Sequence, residues 1–299
     1  MSEDALRKYM KAGSIASKVR DKARHLVSEG RFIIDICTTV EKTIKKLGGK
    51  PAFPCNICVN DIAAHYSSPP EDKKKIPKDA VVKIDVGVHV DGYIADTATT
   101  VSLNSEYDAM VFAAEKALNN AIKVIQPNVK TTKVGEVIKK TVENYGFKPI
   151  WNLSGHQINR YVLHTGKSIP NVPRFSISKI KKGEVYAVEP FLTLSSGSGE
   201  VRGRNESYIF RCHKSKKTQN PTAMKLLRKI YNEFCSLPFS QRWLTGYLPP
   251  VDLNQVFTEL VSKKILSAYP VLVEKNHKIV AQAEHTVIVT EKGNLVTTL

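Results

Sequence analysis

No stretch of this 299-residue chain approaches the roughly 18 consecutive apolar residues of a membrane-crossing helix, so a transmembrane span is excluded. The opening Met1-Ser2-Glu3-Asp4-Ala5 lacks the basic-then-apolar pattern of a secretory leader. Cysteine is sparse, and its five copies cannot all pair, which argues against a disulfide framework and for a reducing, cytoplasmic compartment. Acid is in deficit. There are 28 Asp+Glu against 45 Lys+Arg, a formal net charge of +17. Such an excess attracts polyanions through counterion release. It leaves two readings, contact with nucleic acid or a ribonucleoprotein, or a merely solvating surface. Hydrophobic residues at 42% and charged residues at 24% suit a globular chain with a proper core, built as one large domain or two ordinary ones.

Ala5, Tyr9, Ala12, Ile15, Ala16, Val19, Ala23 and Leu26 recur at three- and four-residue spacing, which predicts an amphipathic helix broken at Gly30. A second helix is expected from about Asp35 to Ile44, stopped by Gly48-Gly49. Pro51 to Asn60 reads as a loop, and Pro69 to Lys75 as a charged turn. Residues 80–101 read as a β-hairpin, because Asp91-Gly92 between two strand-like runs is a strong turn signal. Helical spacing returns over Tyr107–Val124 and Val134–Val142, in a pattern like that of the N-terminus. Ala16 corresponds to Ala114, Ala23 to Ala121, Ile36 to Val134 and Val40 to Ile138. His65 recurs as His164, and the strand ending in Asp85 recurs as the strand ending in Glu189. Two degenerate halves of helices and acid-bearing strands predict a pseudo-two-fold core with a site between them. The region from about Arg211 to Asn276 is basic, with helices expected at Thr222–Cys235 and Leu253–Ser267, the latter behind an N-cap at Asp252. Ile279–Thr290 reads as one long strand.

A two-residue turn at Asp91-Gly92 pairs Gly87 with Asp96 and puts Asp85 and Asp96 on one face as diagonal neighbours, roughly 7–8 Å apart at the backbone. Gly87 is expected to leave room between them. Two acids on one face of an otherwise apolar ribbon repel unless a cation joins them. His156, in a Ser-Gly-His turn, Glu189, before Pro190, and Glu284, in the last long strand, complete a set of four carboxylates and one imidazole. Oxygen donors with one His suit Mn, Fe, Co or Zn, and two such ions neutralise four carboxylates. Two divalent ions could hold a bridging hydroxide and polarise a carbonyl. Cys55 and Cys58 form a lone CxxC without a partner motif, so they are read as structural. His285 has the opposite strand parity to Glu284 and should point away from the site.

The run Val81–Asp96, Ser154-Gly155-His156, the segment His164–Pro170, Ala187–Phe191, Ala281–Thr286 and Asn60–Tyr66 together resemble the motifs of type II methionine aminopeptidases, in an archaeal-type form without a long polybasic N-terminal extension. The resemblance covers nearly the whole chain. It implies an α/β pita-bread fold over 1–210 and 277–299, with an inserted helical, winged-helix-like subdomain at 211–276. It implies two divalent ions, Asp85 holding one, Asp96 and Glu284 both, and His156 and Glu189 the other. Glu189 would also pass a proton to the leaving amine. His65 and His164 would hydrogen-bond the scissile amide, and Phe53, Leu163 and Tyr269 would line a methionine pocket. The expected reaction is hydroxide attack on the first peptide carbonyl of proteins beginning with Met and a small second residue. Xaa-Pro aminopeptidase or prolidase-like activity and a non-catalytic RNA- or ribosome-binding relative are the alternatives. The family also implies a monomer. Basic insert residues Lys214, Lys216, Lys217, Lys225, Arg228, Lys229 and Arg242 offer a surface for ribosomal RNA, with solvation the competing reading. Two departures from the family pattern stand out: Asn159 where a Gly is usual, and Asn205 and Ser207 where a pocket His is usual.

Overall fold

Most of the chain consists of two rounds of one element order. The computed structural model describes residues 1–213 and 218–299. In the first round, helices α1 (Glu3–Arg24) and α2 (Ile33–Lys46) precede strands β1 (Lys50–Pro51), β2 (Asn56–Val59), β3 (Ile62–Ala64), β4 (Val81–Val90) and β5 (Tyr93–Ser102). In the second, α3 (Asp108–Lys123) and α4 (Thr131–Asn144) precede β6 (Lys148–Pro149), β7 (Ser154–Asn159), β8 (Val162–Pro170), β9 (Val185–Val188) and β10 (Phe191–Thr193). Strands β11 (Val201–Cys212) and β12 (Leu266–Glu274) then flank helices α5 (Pro221–Phe234) and α6 (Pro250–Ser262). Strands β13 (Val280–Gln282), β14 (His285–Val289) and β15 (Asn294–Val296) follow.

The strand ladders are antiparallel. Strand β4 pairs with β1, β2 and β5; a second sheet runs β15-β14-β9-β7-β8; two smaller sheets run β13-β10-β6 and β11-β12-β3. Each helix pair covers one sheet through its apolar stripe. Ile15, Val19, Ile36 and Val40 pack on Val82, Ile84, Val86 and Val88, and Met110, Ala114, Val134 and Ile138 pack on Tyr186, Val188, Val287 and Val289. A further apolar cluster joins the halves, with Tyr9, Phe53 and Ile94 from the first against Ile158, Leu163 and Ala187 from the second. Helices α5 and α6 have a core of their own around Leu226, Ile230, Leu253, Val256 and Leu260.

Several local expectations are corrected. The Pro51–Asn60 segment is not wholly loop, since β2 runs through it and pairs Asn56 with Asp85. Helix α6 starts at Pro250 behind Pro249, so Asp252 lies in the first turn and is not the N-cap. Proline at the first helical positions is pre-set for helical φ, which moves the start upstream. The same helix ends at Ser262, and Lys264 has φ 55, a left-handed residue that redirects the chain into β12. His156 lies inside strand β7 and not in a turn. The long strand over 279–290 is interrupted at Ala283-Glu284, between β13 and β14.

Candidate metal centre

The β4–β5 hairpin carries the first two acids. Asp91 at φ 50 and Gly92 at φ 86 supply the left-handed pair a tight hairpin turn requires. The resulting register pairs Gly87 with Asp96, so Asp85 and Asp96 share a face while Ile84, Val86 and Val88 point into the core under α1 and α2. The space over Gly87 is not left open between the acids. A Cβ there would lie 2.2 Å from the Phe53 ring, so the glycine admits Phe53 to the floor of the site.

The second half brings the other three groups to the same place. Gly155 lies so close to β9 that a Cβ would meet the Ala187 carbonyl oxygen at 2.3 Å, and this close approach seats His156 beside the acids. His156 Nε2 is 3.5 Å from Asp96 Oδ2 and 3.5 Å from Glu189 Oε1. Glu189 follows β9 directly. Glu284 sits at the break between β13 and β14, where its N–H donates to the Ala98 carbonyl at 3.0 Å and its carbonyl accepts from the Ala98 N–H at 3.3 Å. Ligand atoms of Asp96, His156 and Glu284 all lie within 4.8 Å of one another. Behind them, the Thr286 hydroxyl donates to the Asp96 carbonyl and the Thr97 hydroxyl donates to the Glu284 carbonyl, each over 2.8 Å. These bonds stitch the two halves together at the backbone of their ligands.

This is a crowded anionic site. Burial pushes the carboxyls of Asp85, Glu189 and Glu284 well above their ordinary range, and the neighbouring acids push them further. Burial also raises Asp96 to about 7. Among the described residues, no lysine or arginine lines the cavity. Asp85 Oδ1, Asp96 Oδ1 and His156 Nδ1 are buried without a hydrogen-bond partner among the described residues. His156 is held neutral, its pKa lowered to about 4 by burial. Anionic oxygens without partners beside a neutral imidazole fit divalent cations, which would supply the missing positive charge and take up the free lone pairs.

The walls of the cavity above the acids include Phe53, His65, Leu163, His164 and Tyr269. Two edge-on or tilted ring contacts place the imidazoles: His65 packs at 5.6 Å on Tyr269, and His164 at 4.2 Å on His156. His65 adopts φ 67, and its Nδ1 is 3.1 Å from the Pro270 carbonyl oxygen. Desolvation first, then the nearby His156, lowers its pKa. Five further wall residues escaped the sequence reading: Asn56, Ala64, Phe191, Ile209 and Pro238. Of these, Ala64 and Phe191 lie inside the quoted motifs Asn60–Tyr66 and Ala187–Phe191 and Asn56 lies in the segment leading to His65, whereas Ile209 and Pro238 left no signal. Asn159 and Ser207 are not among the lining residues, so the two departures from the family pattern fall off the cavity wall.

Cys55 and Cys58 are buried free thiols in the core beneath α2. His285 turns to the opposite side from Glu284, where its Nδ1 lies 2.8 Å from the Thr298 hydroxyl. Arg242 does not belong to a basic outer surface, because it is turned inward onto Glu41. Lys214, Lys216 and Lys217 lie outside the described residues. Among the described residues no helix is long and apolar enough to cross a membrane.

Residues 7–291 match the model of metallopeptidase family M24. A curated methionine aminopeptidase of Thermococcus onnurineus is 44% identical over 290 residues, covering 97% of this chain and 98% of its own length. One from Methanocaldococcus jannaschii is 43% identical over 298 residues, with both chains covered at 100%. Among solved structures, a thermophilic Arx1 superposes with a TM-score of 0.84 at 21% identity, over 99% of this chain and 91% of that one. A methionine aminopeptidase of Thermotoga maritima superposes with a TM-score of 0.72 at 22% identity, over 100% and 98%. These structural likenesses establish the mixed α/β pita-bread architecture.

Proposed function

Taking as premise that the chain belongs to metallopeptidase family M24, we propose that it is a methionine aminopeptidase, hydrolysing the first peptide bond of proteins that begin with Met followed by a small residue. The observation that carries this reading is the meeting of Asp85, Asp96, His156, Glu189 and Glu284, drawn from both halves, on the wall of one cavity. Asp85 would hold one divalent ion, Asp96 and Glu284 would serve two, and His156 and Glu189 would hold the second. The ions are drawn from Co, Mn, Fe and Zn, which suit oxygen donors with one imidazole. When bound they supply a water nucleophile active near neutral pH and Lewis acidity toward the peptide carbonyl.

The protein's own groups do the rest. Glu189, on the cavity wall beside His156, can accept a proton from the attacking water and deliver it to the departing amine nitrogen. His65 and His164 line the cavity and can hydrogen-bond the scissile amide as charge develops on its oxygen. Phe53, Leu163 and Tyr269 provide apolar and aromatic surface for an unbranched thioether. The catalytic unit comprises 1–210 and 277–299, and 211–276 forms an inserted helical subdomain. Its Lys225, Arg228 and Lys229 lie together along one groove on α5, where they favour contact with ribosomal RNA. The site acts as a monomer in the cytoplasm, where new protein N-termini are exposed.

The test is direct. Purified protein loaded with Co or Mn should release Met from Met-Ala-Ser and leave Xaa-Pro peptides intact. Protein inert toward Met-Ala-Ser with Mn, Co, Fe and Zn in turn would overturn the reading, and preferential cleavage of Xaa-Pro peptides would reassign the substrate.

A further inference from the structure

Glu41 is an acid on α2 that sequence periodicity leaves unexplained. It is 5% exposed and its carboxylate accepts from four donors. Arg242 Nη1 reaches Oε2 at 2.7 Å and Nη2 reaches Oε1 at 2.9 Å, a forked pair between residues far apart in sequence. Trp243 Nε1 donates to Oε2 at 2.8 Å, and the Cys55 N–H donates to Oε1 at 3.2 Å. The third guanidinium donor, Arg242 Nε, reaches the Ser68 carbonyl at 3.0 Å.

Both arms end beside the site. Cys55 immediately precedes Asn56, whose Nδ2 donates to Asp85 Oδ2 at 2.8 Å. Ser68 belongs to the segment that follows His65, and the hydroxyls of Ser68 and Tyr66 are both fixed on Asp72, at 2.8 and 2.7 Å. On the insert side, Pro238 lines the cavity and neighbours Phe239, whose N–H and carbonyl bond reciprocally to Phe210 at 2.8 Å. The helical unit has its own apolar core and does not need this ion pair to hold its helices together. A buried pair contributes little net stability over a well-packed apolar contact, but it fixes geometry tightly.

We infer that Arg242 is a positioning residue: its fork on Glu41 docks the helical insert against the strand bearing Asn56 and the segment following His65, and so sets the width of the pocket that receives the first residue of the substrate. The inference rests on the peptidase reading above. It assigns to an inserted segment, through one side chain, control of selectivity at the substrate's first position.

The test compares wild type with Arg242→Lys, which keeps the charge and loses both the fork and the Ser68 contact. Steady-state kinetics on Met-Ala-Ser and Leu-Ala-Ser are read beside the melting temperature and the calorimetric affinity for Mn. A displaced wall should raise KM for Met-Ala-Ser by about ten-fold, change kcat less, and narrow the Met-over-Leu preference by a similar factor, since misplacement of about 1 Å can cost up to about 10²-fold. A merely structural role would lower the melting temperature and leave KM and the preference unchanged, and that result overturns the inference. If Arg242→Lys does not fold, Trp243→Phe decides. It removes one donor to Glu41 and keeps the ion pair, so a smaller shift in the same direction is expected and wild-type values again overturn the inference. Wild type inert on Met-Ala-Ser sinks the peptidase reading, whereas active wild type matched by its variants sinks only the role of Arg242.

Discussion

Asn56 stands directly across from Asp85 in the β2–β4 register and donates its amide to the carboxylate over 2.8 Å. Its own amide oxygen is buried without a partner among the described residues. The amide therefore holds one Asp85 oxygen and leaves the other free to face a cation. Removing it in Asn56→Ala should lower affinity for Mn by about 10–100-fold, the usual cost of losing a group that orients a metal ligand. Calorimetric titration of metal-free protein checks this, and an unchanged affinity would show that Asp85 is held by packing alone.

Asp96 is the acid on which the cluster closes, within 3.5 Å of His156 and sharing its face with Asp85. Asp96→Asn should cut turnover of Met-Ala-Ser by roughly three orders of magnitude or more while making metal-free protein more resistant to heat, because one member of a buried acid cluster whose ionisation burial and its neighbours oppose becomes permanently neutral. Metal addition should raise the melting temperature of wild type, by about 2.7 kcal/mol of stabilisation at 100-fold excess over Kd, and raise it much less in the variant. Calorimetry with and without Mn separates the two effects. A metal-free variant less stable than wild type would contradict the repulsion argument.

His89 gives the fold an acid sensitivity that lies outside the cluster. It is 5% exposed, and its Nδ1 accepts the Gly92 N–H at 3.1 Å. Burial first, then Lys50 across the strand pair, lowers its pKa from 6.5 to about 4, against a smaller opposite pull from Asp91. The unfolded chain therefore takes up a proton before the folded one does. This stability is present in full above about pH 6.5 and is lost as pH falls toward 4, by about 3 kcal/mol in all. His89→Gln keeps the acceptor and should flatten that loss. Urea unfolding of both proteins between pH 4.5 and 7.5 reads it as a difference, which is needed because the raised carboxylates shift stability in the opposite sense. Parallel curves would remove His89 from the account.

Gly87→Ala tests the floor of the pocket. The backbone there accepts any residue, but the new methyl meets the Phe53 ring. Displacing the ring should destabilise the protein by about 1–3 kcal/mol and raise KM for Met-Ala-Ser. Thermal melts with parallel kinetics report both. Unaltered KM in a folded variant would show that Phe53 does not bound the substrate.

The sequence made the hairpin readable because Asp91-Gly92 fixes the turn, and the turn fixes which side chains face each other. The doubled helix pattern was also readable: α2 and α4 start at Ile33 and Thr131, at equivalent points of the two rounds, and Lys50-Pro51 and Lys148-Pro149 each open their set of strands. Strand β2 was not readable. Four residues among Pro, Cys and Asn show no alternation long enough to count, and their pairing is imposed by β4. The break at Glu284 was likewise hidden, because the residues on both sides are strand-like, while β13 pairs with β10, β14 pairs with β9 and Glu284 between them bridges to Ala98. Arg242 shows the opposite failure. Charge on a basic segment suggests solvent, and its burial became visible only with the acid it meets on α2.

Asp85 and Asp96 are read out early, while His156, Glu189 and Glu284 arrive only after the second round of helices. A growing copy emerging from synthesis thus holds an unfinished set of donors until residue 284 has been made, and the full set requires Glu284 to dock on Ala98. Ion uptake followed during refolding would accordingly report when donors from the two halves come together.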